Sequence, residues 1–122
     1  MKPRRSKHST DLDLFIDFPA TKTHLAEVLG VSRSTLVTWE NIAFWRIEAF
    51  RNAYPKAHDG SLDRESPLSP YQAWILSRVG RLMSQLRRGE RVKAYITKNP
   101  NDFSRFKYQQ AFQQLQKLQK GA

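Results

Sequence analysis

Apolar residues recur along this chain in blocks, separated by stretches rich in proline, glycine and small polar side chains. In the first well-defined block Leu25, Ala26 and Leu29 stand at helical intervals, Gly30 and Val31 interrupt them, and Leu36 and Trp39 resume the same period after Ser32. The spacing predicts two short helices joined by a tight turn across Lys22 to Asn41. Ala26 is small where two helices must cross closely, and Gly30 suits the left-handed backbone that ends a helix. Thr21 and Ser32 are good N-caps, the second with a hydroxyl able to accept from the backbone N–H of Ser34 or Thr35. Burying Leu36 and Trp39 leaves Arg33, Ser34, Val37 and Thr38 on the outer face of the second helix.

The pattern extends on both sides. Asp11 to Phe18 alternates acidic and apolar residues, and eight residues do not decide between a helical turn and a strand laid over this helical pair. Downstream, Ile42, Phe44, Trp45, Ile47, Phe50 and Tyr54 are dense and aromatic. Positions 43, 46, 47 and 50 fall near one face, which predicts a third core helix stopped by Pro55. Lys56 to Pro70 reads as an internal loop. Ser69, Pro70 and Gln72 then form a capping signal for a helix running toward Arg87, with Tyr71, Ile75, Val79, Leu82 and Leu86 as its apolar stripe. Gly89 interrupts that pattern, and Val92, Tyr95 and Ile96 mark a short further helix. Asn99 and Pro100 announce a last one, in which Phe103, Phe106, Tyr108, Ala111, Phe112, Leu115 and Leu118 cover more than half the circumference. The expected class is all-α. Residues 1–10 are expected as a disordered arm, 11–55 as a three-helix head, 56–69 as a loop, and 70–122 as a C-terminal helical unit packed on the head.

Charge changes this picture through its distribution. The net charge of +10 divides into +4 over residues 1–10, −3 over 11–73 and +9 over 74–122. The best-defined helical pair therefore sits in the least basic part of the chain, so attraction for a polyanion would have to come from outside it. The 122 residues allow one compact domain. There is no cysteine, which removes disulfides and thiolate chemistry, and only three histidines, which argues against a metal centre. No cofactor is expected. No apolar run reaches the length of a membrane span, and no signal-peptide core follows the basic N-terminus, so the expectation is a cytoplasmic, nucleoid-associated protein without membrane contact. Neither a phosphate-cradling glycine loop nor a nucleophile with a base is present, so an enzyme is not expected.

The run LAEVLGVSRSTLVTWE resembles the DNA-binding helix-turn-helix of bacterial and phage regulators, including the MerR-like, excisionase-like and lambda-repressor-like groups. The resemblance covers about 20 of the 122 residues, and the helix-forming residues after Trp39 depart from the MerR-like pattern, in which a turn and a β-wing follow. It implies a helix-turn-helix head whose recognition helix begins at Arg33 and lies in the major groove of double-stranded DNA. Ser32, Arg33, Ser34, Val37 and Thr38 would then read bases. Phosphate contacts would come from Lys2, Arg4, Arg5, Lys7, Lys22, Arg78, Arg81, Arg87, Arg88, Arg91 and Lys93. The breadth of the last helix admits a homodimer through Phe112, Leu115 and Leu118. A sequence-specific transcriptional regulator is the leading expectation. An excisionase-like factor that bends DNA, or a helical protein-interaction adaptor, are the alternatives.

Overall fold

A computed structural model describes residues 13–121, with side chains to residue 118, and is all-helical: among the described residues there is no strand. Six α-helices follow in order. α1 is Lys22–Leu29, α2 Arg33–Arg46, α3 Glu48–Asn52, α4 Pro70–Leu86, α5 Gly89–Lys98 and α6 Arg105–Gly121, with a 3₁₀ turn at Pro100–Phe103. The expected basic arm, with Lys2, Arg4, Arg5 and Lys7, lies outside the described residues. Among the described residues no helix is long and apolar enough to cross a membrane.

The helix ends follow their caps. Thr21 Oγ1 accepts from the His24 N–H at 3.1 Å to open α1, and Gly30, at φ 73°, closes it in the left-handed conformation. Ser32 Oγ then accepts from the Thr35 N–H at 3.1 Å and opens α2. Ser69 and Gln72 complete a reciprocal capping box at the start of α4. The break before α5 is made by Arg87 in the left-handed region, φ 66°, whereas Gly89 is simply the first residue of α5.

Three expected elements take a different form. Residues 42–46 continue α2 instead of starting a third helix, because nothing before Ile47 stops the hydrogen-bond ladder. Ile47 turns extended at φ −120°, and Arg51 Nη1 caps the Phe44 carbonyl at 2.8 Å. Only five residues, Glu48–Asn52, form the helix that follows. Phe103 belongs to the 3₁₀ turn and is buried apart from α6, whose first turn is held by Ser104 Oγ accepting from the Lys107 N–H. Residues 13–19 are irregular and cross α4 and α6 instead of the α1–α2 pair. The Leu14 N–H donates to Ser77 Oγ at 3.1 Å, and the Phe15 ring lies 6.0 Å from that of Tyr108 and 5.8 Å from that of Phe112.

α4 is the axis of the molecule. Tyr71 to Ser77, Val79 and Gly80 are all buried, so this stretch is enclosed on every side. Its two polar members are satisfied internally, Gln72 Nε2 donating to the Phe50 carbonyl and Ser77 Oγ to the Trp74 carbonyl. Helices α2, α3, α5 and α6 all pack on α4. The 56–69 loop is pinned to the rest by an Ala20–Leu68 backbone bridge, and Leu68 is fully buried. One core runs from Leu25 to Phe103 across both halves of the chain.

Candidate nucleic-acid interface

α2 buries Leu36, Trp39, Glu40 and Ala43 on one side and exposes Ser34, Thr38, Asn41 and Trp45 on the other. At 3.6 residues per turn those four exposed positions lie within about 60° of one another, so they form a single stripe over three turns. Arg33 is exposed at one edge of it. The backbone behind is held by the left-handed Gly30 turn, in which the Val31 N–H reaches the Ala26 carbonyl at 3.0 Å.

The five residues expected to read bases divide accordingly. Arg33, Ser34 and Thr38 are exposed at the start of α2. Ser32 is exposed, but its hydroxyl already serves the cap, accepting from the Thr35 N–H and donating to Thr35 Oγ1 at 2.9 Å. Val37 is half-buried at the margin of the stripe. Thr38 Oγ1 donates to the Ser34 carbonyl at 3.1 Å, which spends its proton and leaves its lone pairs as the hydroxyl's offer to a ligand. Asn41 and Trp45 belong to the same stripe and were masked in the sequence by the dense apolar run around them, which reads as core. Trp45 is 68% exposed.

The expected phosphate contacts separate into two groups. Lys22 is turned inward: its Nζ pairs with Glu40 Oε1 at 3.1 Å and donates to the Arg64 carbonyl at 2.8 Å. Arg78 and Arg81 are both held by Asp13, the first at 3.1 Å. The acid that neutralises them comes from far upstream in the chain, where helical spacing along α4 gives no sign of it. These three cations are committed to internal partners. Arg87, Arg88 and Arg91, by contrast, are exposed around the α4–α5 corner, and Lys93 is half-buried on α5. Lys93 and Gly89 share a groove of about 300 Å³ with Thr38, Asn41, Trp45 and Arg46, so the start of α5 stands beside the exposed stripe of α2.

The buried side of α2 carries its own charge network. Glu40 is 1% exposed and receives Lys22, the Arg64 guanidinium at 3.6 Å and the Tyr54 hydroxyl. Burial, reinforced by the bond to Glu40, holds the Tyr54 phenol well above its ordinary range. Arg64 also donates to Asn41 Oδ1 at 2.8 Å and lies 4.0 Å over the Phe44 ring, which ties the 56–69 loop to α2. Comparison of the chain with known protein families, with curated proteins and with solved structures finds no match.

Proposed function

We propose that this chain is a sequence-specific double-stranded DNA-binding protein whose α1–α2 pair acts as a helix-turn-helix, with α2 in the major groove. The observation that carries this reading is the exposed start of α2. Arg33, Ser34 and Thr38 stand outward there while Leu36 and Trp39 anchor the same turns in the core. A guanidinium beside a stripe of hydroxyls and an amide supplies the groups that address base edges, and Arg33 is suited to the O6 and N7 of guanine. The exposed arginines at positions 87, 88 and 91, at the α4–α5 corner, supply the attraction to phosphate that α2 lacks.

The biological role best fitting such a module is transcriptional regulation, by a monomer or by a dimer in which α6 pairs with its copy. Leu118 of α6 is 73% exposed, which favours a contact there, while Phe112 and Leu115 are already half-covered. Selection of bound sequences from random duplex DNA tests the proposal. A defined motif is expected, as an inverted repeat if the protein is dimeric. Arg33→Ala should lower the preference for that motif over random DNA by roughly 1–3 kcal/mol at one base position. Arg88→Ala should weaken both about equally and flatten the salt dependence. Failure to enrich any motif would overturn the reading.

A further inference from the structure

The exposed stripe of α2 does not end where a reading helix would need it to. From Ser34 to Trp45 the axis rises about 16 Å at 1.5 Å per residue. The major groove is about 12 Å wide. A helix that enters the groove by its first turns therefore carries its last exposed turn out over the strand that borders the groove.

What stands at that place is a built surface. Thr38, Asn41, Trp45 and Arg46 of α2 face Met83 at the end of α4 and Lys93 of α5 across a groove of about 300 Å³, and no acidic side chain lines it. The Trp45 indole is 68% exposed and meets Phe44 edge-on at 5.0 Å between ring centroids. An open indole sharing a groove with two cations offers an apolar face suited to the C–H face of a deoxyribose and positive charge suited to its flanking phosphates. We propose that this groove seats one sugar-phosphate strand at the edge of the duplex that α2 reads. Trp45 packs on a deoxyribose there, and Arg46 and Lys93 bind the adjacent phosphates. The inference rests on the DNA-binding reading above and adds a second contact to it, one that positions α2 without reading sequence.

The chain contains three tryptophans, and Trp39 and Trp74 are 5% and 0% exposed. Acrylamide quenching of the intrinsic fluorescence of the full chain therefore reports on Trp45. Saturation with the selected duplex should protect that emission, and Trp45→Phe should abolish the quenchable component in the free protein. Lys93→Ala should lower the slope of log affinity against log salt by about 0.9 and leave the preferred sequence unchanged. Arg33→Ala should lose sequence preference yet keep the protection. A saturated duplex complex in which Trp45 stays fully quenchable overturns this inference and leaves the DNA reading standing. Absence of any duplex binding overturns both. Equal protection by single-stranded DNA would overturn the assignment to a duplex edge.

Discussion

Glu40 is the residue whose role differs most from its place in the sequence. It stands near the end of the Lys22 to Asn41 stretch, where helical spacing gives it no special place, yet it is 1% exposed and holds Lys22, Arg64 and Tyr54 around one carboxylate. A charge this deep is tolerated because cations and a hydroxyl meet it, and removing one member leaves the others uncompensated. Glu40→Gln should therefore cost about 3–5 kcal/mol of stability in a urea titration followed by circular dichroism. A change of under about 0.5 kcal/mol would mean that the network does not hold α1, α2 and the loop together. The same contacts explain why Lys22, a plausible phosphate ligand by charge alone, is turned away from solvent.

Among elements, the crossing of α2 over α4 sets where the exposed stripe points. It depends on Gly80, whose missing side chain makes room for an indole. A Cβ at that position would lie 2.6 Å from Cζ3 and 2.7 Å from Cη2 of Trp39. Trp39 is itself 5% exposed, and side chains in a close-packed interior shift only at a cost. Gly80→Ala gains up to about 1 kcal/mol in helix propensity and meets overpacking of about 1–3 kcal/mol, so a net loss of stability is expected. Denaturant unfolding measures it, and a stabilised variant would show that the helices part without strain. Periodicity announces α1 and α4 with their caps, and α5 without one, because those signals are local. It misplaces the end of α2, since the aromatic run from Ile42 to Phe50 is rich enough in apolar residues to suit more than one helical face. Helix length there is decided by the turn at Ile47 and by Arg51 reaching back to Phe44.

At the scale of the whole molecule the two halves of the chain meet on α4, and each half is fastened within itself by a tyrosine clamp. Tyr54 bonds to Glu40, and Tyr71 donates to the Phe103 carbonyl at 2.5 Å. Burial pushes the Tyr71 phenol up to about 12, from an ordinary value of 10.0, and holds Tyr54 higher still. The folded state thus binds these protons more tightly than the unfolded chain. Stability is unaffected below about pH 10 and falls as pH rises from there through about 12, by up to roughly 1.4 kcal/mol per pH unit for each phenol. Tyrosinate absorbance should show Tyr54 and Tyr71 resisting ionisation until the fold is lost, and complete titration before unfolding would refute the clamps. The sequence by itself determined the helical class, the capped starts at Thr21, Ser32 and Ser69, the left-handed turn at Gly30 and the outward position of Arg33, Ser34 and Thr38, all consequences of neighbours within a few residues. Tertiary structure alone decided that Asp13 takes Arg78 and Arg81, that Glu40 takes Lys22, and that Trp45 stands open beside Lys93. Those pairings join residues far apart in the chain, and no local period records which cation a folded core consumes and which it leaves facing outward.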